Sequence, residues 1–158
     1  MTVRRTITLA AALLASVLLL AGCGSEMSKS EYQKEVKKIG DTVQKDFDKL
    51  DSGTPDAKTI SGAQDTLEKA ADDLADLNPP KDVADLNDEL VSVLRDTAKV
   101  FGAMAPLMEK AAKDPTSLDE GDTKAMEKVQ TDFGKIQERM DKVQKGFKDK
   151  GYEVGLDN

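Results

Sequence analysis

VADLNDELVSVLRDTAKVFGAMAPLMEKA, residues 83–111, is the stretch that decides the fold. Val83, Leu86, Leu90, Val93, Thr97, Val100, Met104, Leu107 and Ala111 recur at alternating spacings of three and four, and Leu94, Phe101 and Met108 widen the same face. That spacing is the repeat of one side of an α-helix, whereas a strand would alternate every second residue. Pro106 lies inside the stripe, and its ring presses on the carbonyl of Gly102, so a kink between Gly102 and Pro106 is expected.

Working outward, the same pattern repeats on both sides. Upstream, Asn78-Pro79-Pro80 ends a helix whose stripe is Ile60, Ala63, Leu67, Ala70, Leu74 and Leu77, because a proline disfavours helical geometry in the residue before it; Pro80 can begin the next helix. Thr54 and Pro55 read as the N-cap and first turn of that earlier helix. Before it, Ser28-Lys29-Ser30-Glu31 reads as a capping box opening a helix with Tyr32, Val36, Ile39, Val43, Phe47 and Leu50 on one face, stopped by Asp51-Ser52-Gly53. Downstream, Asp114-Pro115-Thr116-Ser117 breaks the chain, and Met126, Val129, Phe133, Ile136, Met140, Val143 and Phe147 form a fourth stripe ending at Gly151.

Four amphipathic helices with short connections predict an all-α, antiparallel up-down-up-down four-helix bundle over residues 28–150, its third helix the longest, followed by a flexible tail from 151 to 158. In that arrangement the 78–80 turn and the C-terminus share one end with the start of helix one, and the turns at 51–54 and 114–121 share the other. Helices three and four should overshoot the first two there by about 10 Å or more. Leu107, Met108, Ala111 and Met126 then form the candidate interaction tip, the least covered apolar surface.

The first 27 residues read differently. Arg4 and Arg5 give a short positive start, Ile7 to Ala21 is uncharged and mostly apolar, and small residues lead to Cys23, which together is signal-peptide anatomy. Leu20-Ala21-Gly22-Cys23 resembles the bacterial lipobox. The resemblance implies that residues 1–22 are removed, that the Cys23 sulfur receives a diacylglycerol, and that 23–27 is a lipidated tether on the outer, extracytoplasmic face of the cell membrane. An uncleaved membrane span over Thr6 to Ser25 is the alternative, and it lacks the stop-transfer charge such a span needs. Leu77-Asn78-Pro79-Pro80, with the Asp-, Lys- and Ala-rich helices around it, makes the body similar to small uncharacterised helical lipoproteins of actinobacteria. That likeness implies a thick-walled host and carries no activity with it.

Composition narrows the function. The 158 residues hold 23 basic and 30 acidic side chains; losing Arg4 and Arg5 with the leader leaves 21 against 30, a net of −9, which disfavours nucleic acid as a partner. There is no His, so the commonest hydrolase and zinc arrangements are excluded, and the single Cys cannot form an internal disulfide. Met104, Met108, Met126 and Met140 could be thioether ligands for Cu(I), but their helical spacing favours core packing. Asp65, Glu68, Asp72, Asp73 and Asp76 read as a solvated face rather than a cation site, since no calcium-binding loop bends around them. Thr97 interrupts its stripe, and its hydroxyl can return to the preceding turn. No catalytic residue, metal or cofactor is expected beyond the lipid on Cys23. The reading is a non-enzymatic interaction or adaptor module anchored in the envelope, with a protein partner there and an open oligomeric state. The alternative is a carrier that opens at the kink to admit a lipid or small apolar ligand among Phe101, Met104 and Met108.

Overall fold

The computed structural model describes residues 25–48 and 56–155. Four helices, α1 (Lys29–Asp48), α2 (Ala57–Ala75), α3 (Ala84–Lys113) and α4 (Glu120–Asp149), pack as an all-α antiparallel bundle, with a short 3-10 turn at Pro115–Ser117 between the last two.

Each helix starts where its backbone donors find acceptors. Ser28 and Glu31 form the anticipated capping box: the Ser28 N–H donates to Glu31 Oε2 at 3.0 Å and the Glu31 N–H to Ser28 Oγ at 3.3 Å. The expected start at Thr54 and Pro55 falls outside the described residues. Asp56 is the N-cap in its place, accepting from the Thr59 N–H at 2.7 Å. Pro80 does not open α3: the chain first turns, with the Val83 N–H donating to the Pro80 carbonyl at 2.9 Å, and the helix begins at Ala84. α3 is not uniquely long, since α3 and α4 have 30 residues each; α4 starts well before Met126 because Asp119 and Asp122 cap it reciprocally. α3 runs as one helix through Pro106.

The core lies toward the end shared by the start of α1, the α2–α3 turn and the end of α4. Tyr32, Val36, Leu74, Leu90, Val143 and Phe147 are buried together there. Arg139 fastens α4 to α3, donating to Glu89 at 2.7 Å, Asp96 at 2.6 Å and Ser92 Oγ at 2.8 Å. Thr97 Oγ1 does donate to the Val93 carbonyl, at 2.8 Å.

The tail expected to be flexible from 151 is docked as far as the structure describes it. Gly151, with φ of 72°, closes α4: its N–H donates to the Lys148 carbonyl and the Tyr152 N–H to that of Phe147 at 2.8 Å. This reversal turns the chain back along α1. Tyr152 and Val154 are buried, the Tyr152 hydroxyl donates to Asp82 Oδ1 at 2.9 Å, and Gln33 Nε2 donates to the Glu153 carbonyl at 3.3 Å. Alternate apolar residues on a short extended segment were a signal too brief to read as packing. Residues 156–158 lie outside the described part.

Candidate functional site

α1 and α2 have 20 and 19 residues against 30 in each of α3 and α4, so the second pair continues beyond the first at the end far from Met27. Three edge-on rings close the four-helix core where α1 stops: Phe47 meets Phe101 with centroids 5.7 Å apart, and Phe101 meets Phe133 at 5.8 Å. Beyond them α3 and α4 form a hairpin. Lys110 ties its two arms through Asp119, at 3.4 Å, and Asp122. The hydrogen bond from Lys110 holds the Asp122 carboxyl below its ordinary range.

A groove of about 1250 Å³ opens between this hairpin and the first turns of α2. Met104, Leu107, Met108, Ala111, Met126 and Phe133 supply its apolar lining. The four residues of the candidate tip, Leu107, Met108, Ala111 and Met126, therefore lie on one surface. Met126 is 49% exposed, the only large apolar side chain so open among the described residues. This corrects the core assignment for Met126; Met140 alone of the four methionines packs against the buried clusters, while Met104 and Met108 line the groove. Phe101 does not line it, being held between Phe47 and Phe133.

The wall formed by α2 was missed in the sequence. Asp56, Lys58 and Ser61 reach the rim from the first turns of α2, and farther along the same pair of helices Gly102 leaves room for the Gln64 amide: a Cβ there would stand 2.7 Å from Gln64 Oε1. A glycine one helical turn before Pro106 reads as a kink signal, which hid its place beside Gln64.

The rim carries Asp56, Lys58, Glu109 and Lys113 around an apolar floor. The Thr59 hydroxyl and amide hold the Asp56 carboxyl below its usual range, and Lys113 does the same for Glu109. Carboxylates so stabilised are ionised at neutral pH and are not poised to deliver a proton. What this surface can do is bury apolar groups, and the unbranched thioether chains of Met104, Met108 and Met126 let it adapt to their shape.

Elsewhere the acidic face of α2 is dispersed among partners: Asp72 pairs with Arg95 at 3.0 Å and Asp73 with Lys69 at 2.6 Å. Among the described residues no three His, Cys, Asp or Glu side chains gather as a metal site would need. None of the described helices is long and apolar enough to cross a membrane. Leu20, Ala21, Gly22 and Cys23 lie outside the described residues. No known protein family, curated protein or solved structure matches this chain.

Proposed function

We propose that this protein is a lipid-anchored, extracytoplasmic interaction module, without enzymatic activity, that offers the apolar groove to another protein of the cell envelope. The observation that carries this reading is the position of the groove: it lies at the opposite end of α3 from Met27, beside which the proposed anchor at Cys23 begins. The lipobox resemblance supports the anchor, and the exposed Met126 beside Leu107 and Met108 supports the docking surface. Tethering would raise the local concentration of the module near partners in the same envelope.

In-cell photo-crosslinking from position 107, with Cys23→Ala as the mislocalised control, tests both parts. One reproducible protein adduct, lost in the control, is the expected result; the absence of any adduct overturns the groove as a protein-docking surface.

The second reading, a carrier of a lipid or small apolar ligand, is favoured by the size of the same groove, about 1250 Å³. Its seat moves accordingly from the Phe101 region of the core to Met104, Met108 and Phe133. Solvent extraction of protein purified from its membranes, followed by mass spectrometry, decides this reading: a stoichiometric apolar molecule supports it and an empty extract removes it.

A further inference from the structure

Glu26 and Met27 fasten the chain to the α2–α3 turn before α1 begins. The Met27 N–H donates to the Asn78 carbonyl at 2.8 Å, Glu26 Oε1 accepts from the Lys81 N–H at 2.8 Å, and Glu26 Oε2 lies 3.8 Å from Lys81 Nζ. The Met27 side chain packs against the core at this end. A merely permissive linker would leave these donors to water. The clasp also limits what precedes it: Cys23 is three peptide steps from Glu26, a reach of about 10–11 Å at full extension.

We propose, resting on the lipoprotein reading above, that the clasp seats the Asn78–Lys81 turn on the phospholipid headgroups, so that the bundle stands end-on. The groove, lined on α3 from Met104 to Lys113, is then held out from the bilayer by the 20 or more residues of α3 that precede it, at about 1.5 Å each roughly 30–45 Å. Two observations select this pose. The short reach keeps the turn within about 10 Å of the anchored residue, because Glu26 touches it directly. Tipping onto a side is opposed by charge on average: the part from Cys23 onward carries 21 basic and 30 acidic residues, a net of −9, and lying flat would bring more of that excess within the roughly 10 Å over which lipid phosphates are felt. End-on, only the turn and the neighbouring helix ends enter that layer.

The test uses the protein matured in its bacterial host, reconstituted into phosphatidylglycerol-containing vesicles that carry acceptor-labelled headgroups. A donor fluorophore is placed at Asp85, near the turn, or at Ser117, on the far hairpin; both residues are exposed. Strong transfer from 85 and weak transfer from 117 is the expected result. Glu26→Ala combined with Met27→Pro, which removes the carboxylate and the N–H, should raise transfer from 117 by about twofold as the reach of the free linker grows. A second variant, with Gly-Ser-Gly-Ser inserted between Gly24 and Ser25, leaves every contact of the fold in place and should act in the same direction. Equal transfer from 85 and 117 in the unaltered protein, or no response to either variant, overturns the end-on seat while leaving the lipoprotein reading intact. An intact mass without diacylglycerol on Cys23 overturns both.

Discussion

The Tyr32 hydroxyl on α1 donates to Asn87 Oδ1 on α3 at 3.0 Å, and Asn87 Nδ2 in turn donates to the Leu74 carbonyl at the end of α2 at 3.2 Å. Asn87 is 2% exposed and is the one buried polar residue among those described, so three helices meet through a single amide. Removing the hydroxyl strands an acceptor with no route to water. Tyr32→Phe should therefore cost about 1–2 kcal/mol in urea unfolding, and adding Asn87→Leu should cost less than the two single losses combined, because no orphaned polar group then remains. Strictly additive losses would show that the two side chains do not depend on each other.

The same end of the bundle holds both tyrosines, and both phenols resist ionisation. Burial pushes the Tyr32 hydroxyl far above its ordinary range; burial and then the hydrogen bond to Asp82 push Tyr152 up to about 12. The unfolded chain releases these protons near pH 10, so the stability they contribute is complete below that value and is lost as pH rises above it. The chain has no His to titrate in the neutral range. Tyrosinate absorbance in an alkaline titration should appear together with the loss of helical circular dichroism; a phenol titrating normally in the folded state would contradict its burial.

Stripe spacing made the four helices legible because each buries one face, and the Ser28–Glu31 box gave its start directly. Features that depend on contact between distant segments were not legible in the same way. Asn87 stands next to the stripe position Leu86, and only the approach of Tyr32 makes it a core residue. Arg139 looks like an ordinary surface cation until Glu89, Ser92 and Asp96 of α3 are set opposite it. The groove was legible in part: helix lengths exposed Leu107, Met108, Ala111 and Met126, while the α2 wall of Asp56, Lys58 and Ser61 depends on how two helices pack, which no periodicity reports.

Arg139 is consequently a test of helix pairing. Its bonds to Glu89 and Ser92 and to Asp96 are half-buried, and the Lys99 and Arg139 hydrogen bonds keep the Asp96 carboxyl below its usual range. Arg139→Met retains the aliphatic stem and removes the charge, and should cost about 1–2 kcal/mol, more than an isolated surface pair does. The contribution of Asp96 is present above the unfolded carboxylate value, near pH 4, and fades as pH falls through its lower folded value. The gap between Arg139→Met and the unaltered protein should accordingly narrow in acid, as urea melts at descending pH would record.

Gly151 adopts a φ of 72°, a left-handed conformation that a Cβ makes costly. Gly151→Ala should destabilise the fold by about 1 kcal/mol, with Gly151→Asn costing less because Asn tolerates this region better. The effect should also be local. The turn aims Tyr152 between Tyr32 and Phe147, whose ring centroids lie 6.1 and 6.3 Å away, and bonds its N–H to the Phe147 carbonyl, so amide exchange at Tyr152 should accelerate more than at Val143. Uniform acceleration across α4 would place the strain in the helix instead of the tail.

Met126 separates binding from stability. At 49% exposure it contributes little to the core, so Met126→Asp should change unfolding free energy by no more than about 0.5 kcal/mol. A carboxylate at that position would nevertheless have to be desolvated beneath any apolar surface laid across Leu107 and Met108, a cost far larger than the change in the free protein. The variant should fold as the unaltered chain does and lose the adduct formed from position 107. Retention of the adduct by the folded variant would show that the partner reaches Leu107 without covering the groove, and would move the contact to the outer face of the α3–α4 hairpin.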